Sequence, residues 1–288
     1  MGVRDLNYLI KRYNKNSIKE LTLYDLKHKT LAIDLQLYLY KALIQNKSPL
    51  EEIYKQILHL ERYKIKPVYV FDGKPPKEKM DELQKRAIKR CRSWEVIQYL
   101  ESVYLMKVSN SDLEENSMRH RVLNKIDELK RNSMIIDKKT KQSIKYLFEV
   151  MGIKYIDDMD MEADKAIGIL YKKGEIDGVI SEDNDMLVYG CKYLYRFYKT
   201  NSSHILEYNL EEIKRDLCLN DEQFLDLCIL CGSDYYKKIK FKSNLKNSVV
   251  AYYLIKKYNK LENIGLEKGY LPTDLDYQKI RNIYNLVI

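Results

Sequence analysis

The chain is expected to adopt an α/β fold, and three observations predict it. Short apolar runs alternate with longer stretches whose apolar residues recur at helical spacing. Several of the short runs end in a carboxylate. The densest acidic segment falls where one such run hands over to a helix. At 288 residues, 45% of them hydrophobic, the chain suits one large α/β domain or one domain with an appendage.

In chain order, Met1 to Asn14 has Leu6, Leu9 and Ile10 at helical spacing. Thr30 to Asp34 is a buried strand ending in an acid, followed by the helix LQLYLYKALIQ. Pro49 to Tyr63 is an amphipathic helix, and Pro67 to Asp72 a second strand closing on a carboxylate. Gly73-Lys74-Pro75-Pro76 breaks the chain without the glycine-rich lead of a phosphate loop. Residues 77–148 are helical and basic, with a turn at Asn110-Ser111-Asp112; Ser117 to Lys145 alone holds nine bases against three acids. Such charge is often only a solvated helix face. Here it interrupts the chain between acid-tipped strands, where it would project over their ends. Tyr155-Ile156 closes a third strand, and Glu162-Ala163-Asp164 opens a helix with both carboxylates in its first turn, where the helix dipole favours them. Ile176 to Ser181 is a buried strand leading into Glu182-Asp183-Asn184-Asp185. Tyr193 to Tyr198 and Ile205 to Tyr208 are strands; Asn209 and Asp221 cap the two helices that follow. Residues 266–288 carry no clear signal.

From Tyr155 to Asp185 ten acids face three bases, a net −7 inside a chain of formal charge +9. Crowded carboxylates repel one another unless a cation neutralises them, and hard oxygen ligands select Mg²⁺, Mn²⁺ or Ca²⁺. Asp183 and Asp185 point the same way if the chain stays extended. The competing reading is helix capping, which explains any one acid more easily than all of them. An EF-hand from Asp158 fails, because Ala163 and Ile169 stand where a glycine and a glutamate are needed.

The positive balance, with pI near 9.0, predicts a polyanionic partner. Tyr236 to Lys260 is the most one-sided patch, with eight lysines and no acid; Lys237, Lys238, Lys240, Lys242 and Lys246 would hold a phosphate backbone without reading sequence. Five scattered cysteines argue for reduced thiols, and Cys228-x-x-Cys231 lacks the second pair of a zinc site. No apolar run reaches the length of a membrane span, MGVRDLNYLIKRYNK does not read as a signal peptide, and Leu6 occupies the position where myristoylation needs Ser or Thr. A soluble, intracellular protein is expected, in the nucleus or at a cytoplasmic viral replication site.

These motifs resemble, in order, those of the flap endonuclease family of structure-specific 5′ nucleases. MGVRDLNYLI is similar to its N-terminal motif and brings Gly2 to the DNA. LAIDLQLYLY supplies Asp34, PVYVFDGKPPKEKMDELQKR supplies Asp72, and GIKYIDDMDMEADKA supplies Glu162 and Asp164. SEDNDMLVYG supplies Asp183 and Asp185, and LCILCGSDYY supplies Asp234. The resemblance spans residues 1 to about 258 and implies a central, mostly parallel twisted sheet flanked by helices, a PIN-like nuclease core at 1–232. It further implies a helical arch at about 77–148, a helix–hairpin–helix-like segment at 233–265 and a tail at 266–288. The seven carboxylates would hold two Mg²⁺ (or Mn²⁺) ions. Lys79 and Arg86 would contact the scissile phosphate, and Tyr40 would stack on a base; a core tyrosine is an equally open reading of Tyr40.

The implied partner is branched, flapped or nicked DNA, and the implied setting is replication, repair or recombination. A monomer is expected, with no sliding-clamp motif. Lys240 to Asn244 lacks the glycines of the family's hairpin turn, which argues against its K⁺ site. Two other readings stay open: a 5′→3′ exonuclease preferring RNA or nicked duplex, and a non-catalytic DNA-binding scaffold on the same fold.

Overall fold

The computed structural model describes residues 2–13, 15–105, 113–157, 160–233, 235, 241, 243, 245–266, 271 and 275–286. The turn expected at 110–112 lies outside them, as do Asp234, Lys237, Lys238, Lys240 and Lys242.

The chain opens with α1 (Leu6–Tyr13), β1 (Ile18–Thr22), β2 (Thr30–Asp34), α2 (Leu35–Ile44), α3 (Pro49–Arg62) and β3 (Lys66–Val70). There follow α4 (Met80–Leu105), α5 (Leu113–Ser133), α6 (Lys138–Met151), β4 (Lys154–Ile156), α7 (Ala163–Lys172), β5 (Gly178–Ile180) and α8 (Asp185–Val188). The last third is β6 (Tyr193–Arg196), β7 (His204–Asn209), α9 (Leu210–Leu217), α10 (Asp221–Cys231), α11 (Asn247–Tyr258), α12 (Leu261–Leu266) and α13 (Tyr277–Tyr284).

One seven-stranded sheet runs β1-β7-β6-β5-β2-β3-β4. The block from β4 to β6 is parallel, and β7 and β1 add an antiparallel edge. Parallel strands buried on both faces need apolar residues at every position. The strands meet that need by alternation: Leu31, Ile33, Tyr69 and Phe71 enter the core beneath α3 and α6, while Ala32, Val68 and Val70 enter the opposite core with α1, α7 and α10. Tyr69 stacks on Phe148 of α6 with ring centres 4.6 Å apart. After β2 the chain builds outward through β3 and β4, then returns to place β5 on the other side of β2. The sheet therefore changes direction between β2 and β5, and a crevice opens at such a point beyond the strands' carboxyl ends.

Of the helices between β3 and β4, α4 and α5 pack along each other and bury Ile97 and Ile126. The third, α6, instead lies on α3 and buries Ile144 and Phe148 in the core. It starts on an Asp137 cap and stops at Gly152, whose φ of +66° glycine tolerates.

Four local expectations need correction. The first helix starts at Leu6, because Gly2 (φ +78°) and Asp5 (φ +55°) turn the preceding segment elsewhere. Asn220, not Asp221, caps α10: it accepts from the Gln223 N–H, and the Gln223 side chain answers its N–H. Strand β1 carries little apolar signal because it is an outer strand. The featureless tail contains α13, held by Arg281, which pairs with the fully buried Asp226 at 2.6 Å and with Glu262 at 2.7 Å.

Candidate active site

Four chain segments deliver carboxylates to the crevice. Asp34 ends β2 and caps α2, accepting from the Leu37 N–H at 3.4 Å. Asp72 lies two residues past β3 and accepts from the Ala163 N–H at 3.1 Å, which ties it to the start of α7. Glu162 is the residue before α7, where its side chain makes no capping hydrogen bond, and Asp164 is in the first turn. Asp183 follows β5, and the chain does not stay extended between it and Asp185, because Asn184 takes a right-handed helical conformation. Its carboxylate accepts from the Asp185 N–H at 3.0 Å, and Asp185 starts α8.

Asp34, Asp72, Glu162, Asp164 and Asp183 line one cleft of about 810 Å³. Lys79, Arg86, Arg90 and Arg131 line the same cleft, together with Tyr40. The lip is thus cationic and the floor anionic. Burial raises Asp34 to about 7, and the charges of Asp72 and Asp183 add to that effect. Asp164 is pushed well above the usual carboxylate range by burial, then by Asp183, Asp34 and Asp185, while Lys79 opposes the shift.

Neighbouring groups fix these acids. Lys79 Nζ lies 2.5 Å from Glu162 Oε1, and the other Glu162 oxygen accepts from the Tyr235 hydroxyl at 2.7 Å. The Tyr189 hydroxyl sits 2.9 Å from that of Tyr235. Asp185 accepts from the Val3 N–H at 2.8 Å. This draws the N-terminal segment over the acids: a Cβ on Gly2 would stand 1.9 Å from Asp183 Oδ1 and 2.6 Å from Asp185 Oδ1. Only glycine fits there, on both the contact and its positive φ.

Not every predicted residue lines the cleft: Asp185 is buried and, like Gly2, lies outside the lining. Arg86 reaches the cleft but also pairs with Glu82 at 3.3 Å, one helical turn away. Lys246 lies outside the cleft lining, its ammonium 4.0 Å from the centre of the Tyr8 ring. The sequence reading also missed residues. Buried Arg196 donates to Asn184 Oδ1 at 2.7 Å and to the Glu182 carbonyl at 3.0 Å, clasping the turn that carries Asp183. Arg90 and Arg131 had no motif to mark them, and Tyr235 stood in the LCILCGSDYY motif without a role. The spacing of Arg86 and Arg90 on one helix face was the one available signal.

The comparisons with known proteins cover the same segments. Residues 1–93 match the XPG N-terminal domain and residues 152–234 the XPG I-region. Flap endonuclease 1 of Lodderomyces elongisporus is 33% identical over 310 residues, covering 99% of this chain and 75% of the relative. The chain belongs to the flap endonuclease family. Flap endonuclease 1 of Candida tropicalis is 30% identical over 308 residues, covering 99% of this chain and 76% of its own. Among solved structures, the catalytic core of Rad2 in complex with DNA substrate superposes with a TM-score of 0.69 at 18% identity, over 98% of this chain and 85% of that one. Flap endonuclease-1 from Methanococcus jannaschii gives 0.62 at 22% identity, over 93% and 82%. The shared fold is the mostly parallel sheet flanked by helices, as expected from the sequence.

Proposed function

We infer that this flap endonuclease family member is a structure-specific 5′ nuclease that hydrolyses DNA phosphodiesters with divalent metal ions held in the cleft. The observation that carries the reading is the convergence of Asp34, Asp72, Glu162, Asp164 and Asp183, from four chain segments, in one cleft with Lys79, Arg86, Arg90 and Arg131.

The donor set suits Mg²⁺ or Mn²⁺. It is all oxygen, and Asp34 and Asp164 have raised affinities for protons because they are buried beside other carboxylates. Among the described residues no group of three or more acids, histidines or cysteines could hold an ion by itself. Mg²⁺ usually keeps several waters and takes one or two carboxylates with substrate phosphate. Asp34, Asp72, Glu162, Asp164, Asp183 and Asp185 would hold the ions, with Asp234 assigned from its motif. The chemistry that divalent ions supply at such a site is activation of water and neutralisation of charge on the phosphoryl and leaving oxygens.

The chain's own residues do the rest. Lys79 and Arg86 bind the scissile phosphate and stabilise the charge that builds on it. Arg90 and Arg131 draw the adjoining phosphates onto the lip. Tyr40 stacks on a base and sets its register. Gly2 lets the N-terminal segment lie against the Asp183 turn without displacing it. The substrate is DNA with a 5′ flap, branch or nick, cut endonucleolytically or exonucleolytically. Incubation with 5′-flap DNA and Mg²⁺ tests this: the wild type cleaves near the junction and Asp183→Ala does not. Equal products from both proteins remove the assignment.

A further inference from the structure

The aromatic ring of Phe197 stands on the rim of the same cleft, and no motif accounts for it. Phe197 is 42% exposed between two buried neighbours, Arg196 and Tyr198. Its φ is +59°, a left-handed conformation in which a bulky side chain is a genuine outlier. Glycine or asparagine would hold that backbone with less strain. The surroundings nevertheless impose it. On one side the Tyr198 hydroxyl lies 2.8 Å from His59 Nδ1 inside the core. On the other the Phe197 N–H donates to Glu182 Oε1 at 2.8 Å, one residue before Asp183. The strand end is pinned at both points, and the ring is turned outward over the cleft. Strain of this kind, kept where a simpler residue would relieve it, points to function. The ring also has cations beside it: the Arg196 guanidinium 5.3 Å and the Lys11 ammonium 5.8 Å from its centre. An exposed aromatic face with an adjacent ammonium matches a nucleotide, base against ring and phosphate against charge.

We propose that Phe197 is a substrate-positioning residue, stacking on an unpaired nucleobase beside the scissile phosphate while Lys11 meets the adjoining phosphate. The proposal rests on the nuclease reading of the cleft and adds a second stacking contact to that of Tyr40. Because Glu182 joins Phe197 to the Asp183 turn, a base seated on the ring is placed in register with the carboxylates.

Single-turnover cleavage of 5′-flap DNA tests this, with intact substrate and with substrates abasic at either nucleotide flanking the cut. Phe197→Gly accepts the same φ and removes the ring; Phe197→Trp keeps an aromatic face. Phe197→Gly is expected to melt no lower than wild type yet to cleave intact flap about tenfold more slowly, the scale of one lost base stack. Removing the base slows the wild type by a similar factor and leaves Phe197→Gly unaffected, while Phe197→Trp behaves as wild type. Wild-type rates for Phe197→Gly, an undiminished abasic penalty in that variant, or a lowered Tm each overturn the proposal. A wild-type protein that cleaves nothing instead overturns the nuclease reading, so the two failures are distinct.

Discussion

At the residue scale, the acids of the cleft are defined by how little compensates them. Asp34 is held near 7 by burial and by Asp72 and Asp183, so the folded protein binds its proton more tightly than the unfolded chain does, whose aspartates titrate near 3.9. The sign follows: without metal, the folded form loses stability as pH rises from about 4 to about 7, by an order of a few kcal/mol for this group. Divalent metal competes with that proton, so its binding strengthens over the same range. Thermal melts with and without Mg²⁺ check this; the metal-induced rise in Tm is expected to be small at pH 5.5 and large at pH 8. Gly2 gives a second prediction. Gly2→Ala puts a methyl group 1.9 Å from Asp183 Oδ1 and strains a φ of +78°. Cleavage is expected to fall at least tenfold with the circular dichroism spectrum unchanged. The acids that line the cleft were legible in the sequence because each follows an apolar run or opens a helix, a pattern with a local cause. Arg196 and Phe197 were not, since a buried arginine and a left-handed phenylalanine take their meaning from Glu182 and Asn184, contacts visible only after folding.

At the element scale, α13 depends on one ion network. Asp226 is fully buried on α10, and Arg281 brings its guanidinium to within 2.6 Å of it. Removing one partner of a buried pair leaves the other charge uncompensated, at a cost of about 3–5 kcal/mol. Arg281→Ala is therefore expected to lower the urea midpoint sharply, and Arg281→Ala with Asp226→Leu to recover part of the loss. The parallel strands and their helices were readable from apolar runs and helical spacing. The antiparallel edge was harder, because β1 lies outermost in the sheet and its residues are mostly polar. The tail was harder still: the fixing contacts of α13 come from α10 and α12, far away in the sequence.

At the scale of the whole molecule, charge is divided by position. The chain carries a net +9, yet its most acidic segment feeds the floor of the cleft while α4 and α5 supply bases to the lip. Binding through several phosphate contacts releases counterions, so affinity for flap DNA is expected to fall steeply and linearly on a log scale with salt. Arg90→Ala with Arg131→Ala should make that slope shallower by about two, read by fluorescence anisotropy. Among the described residues no helix is long and apolar enough to cross a membrane. The central claim is that carboxylates from separate strands act as one metal site. It is tested most directly by titrating Mn²⁺ into the wild type and into Asp34→Asn, Asp164→Asn and Asp183→Asn, following free ion by electron paramagnetic resonance. Each substitution is expected to weaken the same binding event about tenfold or more; wild-type affinity in any of the three would contradict the account.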